Sequence, residues 1–236
     1  MTLTLQYRLD VMPGVVLWPE ALTRDMQTQL VHEIAARTAD APFYRPVMPK
    51  SGKPFSVEET NFGALGWVSD ISGYRYEKVH PVSHAPWPAI PDMLLELWNA
   101  TTACPAPPEC CLVNRYGTAA RMGLHQDRDE AALDAPVLSV SLGEDALFRI
   151  GGTTRRGPTE SLKLCSGDVL MFGGPARLAF HGIDRIIGGT SSLLAGGGRL
   201  NLTLRRVTHF ARKEKTPDQG ADRASHAPLR AGAGRG

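Results

Sequence analysis

His125 and Asp127 stand two apart in the segment RMGLHQDRDE, Arg121–Glu130. On an extended chain, residues i and i+2 project to one face, so this imidazole and this carboxylate can reach a single ion. They are two members of the 2-His-1-carboxylate set that holds non-heme Fe(II) and leaves coordination positions open. So short a motif also arises by chance, and a third ligand has to come from elsewhere. Of the other histidines, His32 falls on a helical pattern, and His80 and His84 lie among prolines. His209 and His226 border or occupy a polar tail, which leaves His181 at the end of the apolar run LAFHGI. Taken alone, His181 reads better as a buried histidine bonded to backbone, so elimination makes it a candidate and no more.

The segment GRLNLTLRRV carries a second pattern. Arg199, Asn201, Thr203 and Arg205 alternate with Leu200, Leu202 and Leu204, so the polar side chains share one face of a strand. A strand edge in solvent could look like this. If the face is interior, two guanidiniums there demand anionic partners, because unpaired buried charge is costly. An arginine fork matches a carboxylate through two hydrogen bonds, which a small dicarboxylate beside a metal would supply. Asn114 and Tyr116, in LVNRYG, have the same spacing and could add polar contacts.

The elements that must position these residues are mainly short strands. CCLVNRY, PVLSVSLG, ALFRIGG, SLKLCSGDVLMFGG, RLAFHGI and GRLNLTLRRV each alternate over a few residues between turn signals, a pattern of sandwiches and jelly rolls. Before them, residues 20–38 place Leu22, Met26, Leu30, Ile34 and Ala35 near one helical face, and PDMLLELWNATT predicts a second helix. Residues 41–91, rich in Pro, Gly and aromatics, read as loops and short hairpins. The stretch from 209 to 236 is polar and Gly/Pro-rich, and disorder is expected there.

Composition narrows the partners. The chain has 236 residues, 42% hydrophobic and 21% charged, and a formal net charge of +2, so no strong overall field favours a polyanion. No signal peptide and no membrane span is expected from the N-terminus or from any apolar window. Cys104, Cys110, Cys111 and Cys165 show no paired-motif spacing and read as reduced thiols of a cytoplasmic protein.

CLVNRYGTAARMGLHQDRDE, VLSVSLGEDALFRIGG, SGDVLMFGGPARLAFHGI and RLNLTLRR together resemble the AlkB proteins, iron- and 2-oxoglutarate-dependent nucleic-acid dealkylases. The likeness runs from about Thr60 to Arg206 and includes NFGALGW, GYRY and PWPAIP. It implies a mainly β (α+β) fold, a double-stranded β-helix or jelly roll with N-terminal helices and a nucleotide-recognition lid. The implied division is 1–40 for an N-terminal extension and helix, 41–91 for the lid, 92–208 for the dioxygenase jelly roll and 209–236 for the tail.

By the same resemblance His125, Asp127 and His181 ligate Fe(II), with O2 and 2-oxoglutarate as co-substrates. Arg199 pairs with the far carboxylate of 2-oxoglutarate, helped by Tyr116 and Asn201; Arg205, with Asn114, sits by the near one. Ser139 lines this pocket or simply packs. Oxidative decarboxylation to succinate and CO2 then yields an oxidant that hydroxylates an N-alkyl group, which leaves as formaldehyde. Only a base lifted from its stack can reach such a centre. Trp67 would stack on that base opposite His125, with Tyr74 nearby in the lid, and Tyr76 would brace the lid. Asp129 would favour the positive charge of N1-methyladenine or N3-methylcytosine, whereas Glu130 has no assigned role. Arg155 would lie near the substrate and Arg156 near phosphate. The implied partner is DNA, single-stranded or duplex, with RNA a second candidate, and the enzyme is expected to be monomeric.

The chain departs from the repair enzymes at Glu58, Glu59 and Asp70, where the familiar residues are apolar or neutral, or a histidine. Extra acids near a polyanion weaken phosphate binding unless Lys50, Lys53 or Arg75 offsets them. Two other readings stand beside repair: a related dioxygenase hydroxylating a protein or small molecule, and a cupin-like module that holds metal without turnover. The second leaves Arg199 and Arg205 unexplained, as does a zinc hydrolase.

Overall fold

The computed structural model describes residues 5–209, so the expected disorder of the tail falls almost wholly outside the described residues. The strands are β1 (Leu9–Met12), β2 (Val15–Trp18), β3 (Glu58–Gly63), β4 (Gly66–Asp70), β5 (Gly73–Glu77), β6 (Cys110–Tyr116), β7 (Met122–His125), β8 (Val137–Gly143), β9 (Asp145–Gly151), β10 (Thr159–Leu164), β11 (Val169–Phe172), β12 (His181–Ile187) and β13 (Arg199–Arg205). Helix α1 (Arg24–Arg37) follows β2, and α2 (Asp92–Thr101) follows β5. A seven-stranded sheet runs β1-β2-β11-β8-β13-β6-β3, a four-stranded sheet runs β10-β9-β12-β7, and β4 and β5 form a separate hairpin. Pairing between strands is antiparallel throughout. This is the jelly roll expected from the pattern of short strands.

Alternation along each strand sorts side chains between two cores. Leu200, Leu202 and Leu204 of β13 join Met26, Leu30 and Ile34 of α1 and Leu94, Leu97 and Trp98 of α2 on the outer face of the large sheet. A second core lies between the sheets, built from Val15, Leu17, Phe148, Ile150, Leu170, Phe172, Ile183 and Ile186. The short strand β2 is buried on both faces: Val16 and Trp18 pack toward the helices, Val15 and Leu17 toward the small sheet. Each fully buried Leu or Ile contributes about 1.5–3 kcal/mol, which offsets the cost of ordering these short strands.

Several sequence expectations shift at their edges. The first helix begins at Arg24 because Thr23 caps it, its Oγ1 accepting from the Met26 N–H at 3.3 Å. Leu22 is therefore buried ahead of the helix, and Ala35 faces outward. The run RLAFHGI is strand only from His181, since Arg177 closes a 3-10 turn over Gly174–Ala176. The N-terminal stretch is more than an extension and helix: LDVM and VVLW form a hairpin whose second strand pairs with β11. Likewise β3, inside the 41–91 stretch, is an edge strand of the large sheet, paired with β6 from Glu58↔Arg115 to Gly63↔Cys110.

Candidate active site

His125 closes β7 and His181 opens β12, and the two strands pair with these residues directly opposite each other. Their ring centroids are 4.5 Å apart. Gly182 permits the approach: a Cβ there would lie 2.5 Å from the Met122 carbonyl and 2.9 Å from that of Gly123. Asp127, just past β7, completes the group, with its Oδ1 3.6 Å from His125 Nε2 and 3.9 Å from His181 Nε2. All three ligand atoms lie within 4.8 Å of one another.

The rings are oriented by backbone. His125 Nδ1 lies 3.0 Å from the Gly123 carbonyl and His181 Nδ1 2.9 Å from that of Ala179. Each Nδ1 therefore carries the hydrogen and donates it, leaving the Nε2 lone pairs aimed at the shared space. Burial, and then the neighbouring His125, pulls the His181 pKa down to about 4, so its imidazole is neutral and able to ligate at ordinary pH. Burial pushes the Asp127 carboxyl up, but the combined pull of Arg205, His181 and His125 outweighs it and holds the group well below the usual carboxylate range. Two neutral nitrogens and one carboxylate on one side of an open space suit a divalent iron.

Asp127 is held by a buried ion-pair network. Arg205 reaches its Oδ2 with NH2 at 2.7 Å and Nε at 2.9 Å. Arg205 Nε also lies 3.5 Å from Glu130, which pairs with Arg177 at 2.9 Å and accepts from the Tyr76 hydroxyl. Arg177 in turn donates to the Asp127 and Ala135 carbonyls at 2.5 and 2.8 Å. Arg177 was not legible as a site residue, because an arginine in a Gly/Pro turn usually faces solvent. Glu130, without a role in the sequence, is thus the hub that ties Tyr76 of β5 to Arg205 and Arg177.

The polar face of β13 does turn inward. Arg199 is fully buried and contacts the Glu144 and Leu164 carbonyls at 3.1 and 3.3 Å and Ser141 Oγ at 2.6 Å. None of these is an anion, and its Nε has no partner. Burial pulls its pKa down to about 10, so it remains charged at neutral pH. Asn201 donates to Ser139 Oγ at 2.7 Å, and Asn114 Oδ1 is buried without a partner. Tyr116 lies beside them, its hydroxyl pushed well up by burial and thus un-ionised. An unmatched guanidinium and spare polar atoms in one buried place fit a small diacid.

Tyr116, Asn114, Ser139 and Asn201, together with His125, Asp127 and His181, surround a cavity of about 560 Å³, and Arg199 is buried behind this lining, on the same strand face as Asn201. Trp67, Tyr74, Asp129 and Arg155 line its outer part, as do Asn114, Tyr116, Ser139, Asn201 and Arg205 within. Trp67 Nε1 donates to Asp129 Oδ2 at 2.9 Å, and Tyr74 stacks on the indole with centroids 5.3 Å apart. One face of Trp67 is therefore already covered by Tyr74. Arg155 is exposed at the rim, 5.8 Å from the Phe180 ring.

The departing acids are spoken for, or hidden. Glu58 pairs with Arg115 at 2.7 Å and Arg45 at 3.5 Å, and Asp70 pairs with Arg75 at 2.8 Å. Asp70 is thus offset by Arg75, as expected, and Glu58 by Arg115 and Arg45. Glu59 is 1% exposed, lines the cavity, and has no hydrogen-bond partner for either oxygen. Burial pushes its carboxyl up to about 8, against the pull of Arg205.

Residues 14–205 match the family described as the 2OG-Fe(II) oxygenase superfamily. The chain is 55% identical over 201 residues to an alpha-ketoglutarate-dependent dioxygenase AlkB homolog of Caulobacter vibrioides, covering 84% of this chain and 90% of that one. Against the AlkB of Escherichia coli it is 42% identical over 183 residues, 76% of this chain and 84% of the other. The chain belongs to the AlkB family. The solved structure of OsALKBH1 superposes with a TM-score of 0.72 at 31% identity, covering 85% of this chain and 100% of that one. As an AlkB protein it is a dioxygenase that uses Fe(II), 2-oxoglutarate and O2. No helix among the described residues is long and apolar enough to cross a membrane.

Proposed function

We propose that this AlkB protein removes alkyl groups from the ring nitrogens of nucleic-acid bases such as 1-methyladenine and 3-methylcytosine, in DNA first and RNA second. The observation that carries the reading is the single cavity holding both the His125–Asp127–His181 group and the aromatic–acid pair Trp67–Asp129. Relatives point to nucleic-acid demethylation on DNA and RNA alike: a 43–44% identical segment occurs in Arabidopsis thaliana proteins named DNA N(6)-methyladenine demethylases, for a base whose methyl group sits on the exocyclic nitrogen, and a more distant relative is named a tRNA demethylase in Schizosaccharomyces pombe.

In this reading His125, Asp127 and His181 hold Fe(II). Arg199, with Tyr116 and Asn201, takes the far carboxylate of 2-oxoglutarate; Arg205, Asn114 and Ser139 lie by the near one. When bound, iron and 2-oxoglutarate turn O2 into an oxidant that hydroxylates the N-alkyl carbon, and the resulting hemiaminal collapses to formaldehyde and the restored base. The chain's own contribution is placement and exclusion of water. Arg205 keeps Asp127 ionised and fixed. Phe148 and Phe172, with ring centroids 5.9 and 4.6 Å from the His181 ring, wall the centre with apolar surface.

Within residues 41–91 the β4–β5 hairpin, which carries Trp67 and Tyr74, acts as the lid that admits a flipped base. Stacking on such an aromatic contributes about 1–3 kcal/mol per base. Asp129, anchored by the Trp67 N–H, offers its carboxylate to a cationic base, and Arg155 and Arg156 stand at the rim for phosphate. A monomer in the cytoplasm completes the reading. The four cysteines are free thiols, as a reducing compartment keeps them.

The test is succinate formation with Fe(II), ascorbate and 2-oxoglutarate, with and without an oligonucleotide carrying 3-methylcytosine. Stimulation by the methylated strand and none by its unmethylated twin is the expected result. Succinate formation indifferent to the strand would transfer the chain to the dioxygenases of proteins or small molecules.

A further inference from the structure

Tyr44, Glu59, Asn114 and Asn201 are successive partners across neighbouring segments of the large sheet. Directly opposed residues place their side chains on one face; Glu59, Asn114 and Asn201 line the cavity, while Tyr44 packs on the His80 ring beside them. Asn201 is bonded to Ser139 and Thr203. The Glu59 carboxyl, the Asn114 Oδ1 and the Tyr44 hydroxyl are buried with no partner. Burying a carboxyl without a hydrogen bond is costly, so a ligand that brings N–H donors into the cavity would relieve it.

Three kinds of ligand belong there. The metal's candidate donors lie on β7, β12 and the segment between β7 and β8, away from this edge strand. The diacid is an anion whose far carboxylate has Arg199 to answer it, and an ionised Glu59 would repel it. A ring-alkylated adenine or cytosine is a cation that carries an amino group beside the alkylated nitrogen, and so offers both charge and N–H donors. The strand bearing Glu59 is tied to the base-receiving residue: two positions on, Asn61 donates to the Trp67 carbonyl and accepts from its N–H, both at 3.0 Å.

We propose that Glu59 is a specificity-determining residue that accepts a hydrogen bond from the amino group of a flipped, cationic base and pairs with its charge, inside the cavity and distinct from Asp129 at its rim. This rests on the dealkylase reading above. The arriving cation favours the ionised carboxylate, whose proton passes to solvent. A neutral base with a carbonyl at that position, such as 3-methylthymine, receives no such pairing.

The experiment compares kcat/KM for oligonucleotides carrying 3-methylcytosine or 3-methylthymine in the wild type, Glu59→Gln and Glu59→Leu, alongside DNA-independent succinate formation. The expected result is a fall of about tenfold or more in the cytosine-to-thymine ratio for Glu59→Leu, the size of one charge-assisted hydrogen bond. Glu59→Gln, which keeps an acceptor but no charge, falls in between, and DNA-independent succinate formation separates base recognition from co-substrate binding. Should Glu59→Leu not fold, the near-isosteric Glu59→Gln carries the comparison through its smaller fall. Equal losses on both bases, or loss of DNA-independent succinate formation, would overturn the proposal by making Glu59 a structural or co-substrate residue. A wild type that forms succinate yet demethylates neither strand would instead overturn the dealkylase reading itself, and the proposal with it.

Discussion

The two walls of the cavity are built on opposite terms. On the metal side every charge has an answer within the chain: Asp127 to Arg205, Arg205 to Glu130, Glu130 to Arg177 and Tyr76. On the β3 side, the Glu59 carboxyl and the Asn114 Oδ1 are buried and unanswered. A closed network fixes geometry before anything binds, whereas open polar groups wait for a ligand to satisfy them. The contrast locates rigidity at the metal ligands and recognition at the edge strand.

The sharpest break of this contrast is Asp127→Ala. It removes a candidate metal ligand and strands the buried Arg205, so turnover should vanish. Stability should fall by roughly 3–5 kcal/mol, the cost of leaving half of a buried ion pair. Urea unfolding followed by circular dichroism separates the two effects. Glu130→Leu strands Arg177 without touching a ligand; a loss of roughly 3–5 kcal/mol is expected, with a folded remnant that retains part of its activity. A neutral effect on stability would show that the network is not the brace described.

Smaller effects belong to the recognition side. Asp129→Ala removes the acceptor of the Trp67 N–H and should raise KM for a 3-methylcytosine strand about five- to tenfold with little change in kcat, consistent with about 1 kcal/mol for one hydrogen bond. A fall in kcat alone would place Asp129 in the chemistry instead. The smallest effect is on stability against pH. Glu59 has an ordinary value near 4.5 that burial pushes up to about 8, so between these the folded chain keeps a proton that the unfolded chain releases. Stability from this group is present below pH 4.5 and is lost as pH rises through 8. Relative to Glu59→Gln, the wild type should therefore lose stability progressively over that window. Parallel unfolding curves for the two proteins would remove the buried, unpaired acid from the account.

Legibility in the sequence follows the same division. β6 and β13 could be read almost residue for residue, because strict alternation between a helix-packed face and a polar face leaves a period of two in the letters. His125 and Asp127 were legible through their spacing, and His181 through elimination together with the resemblance. The partnering of β7 with β12, which brings the two histidines together, is a long-range fact that no local pattern encodes; its trace is Gly182, where a side chain would strike the opposite backbone. The β1–β2 hairpin was missed although MPG marks its turn, because a strand buried on both faces lacks alternation. Arg177 and Glu59 were hidden for a common reason. A charged residue in a turn or at an edge strand reads as solvated until tertiary packing closes over it. At Glu58 and Asp70 the acids proved to be paired with arginines across strands, which the sequence does not specify.

The most direct test of the central claim is product accounting on one methylated strand. Mass spectrometry of a 3-methylcytosine oligonucleotide, run with formaldehyde and succinate assays, should show loss of one methylene from the strand for each formaldehyde released. That turnover should be absent in His181→Ala and retained in Glu59→Gln. An unchanged strand mass while the wild type consumes 2-oxoglutarate to succinate would contradict it.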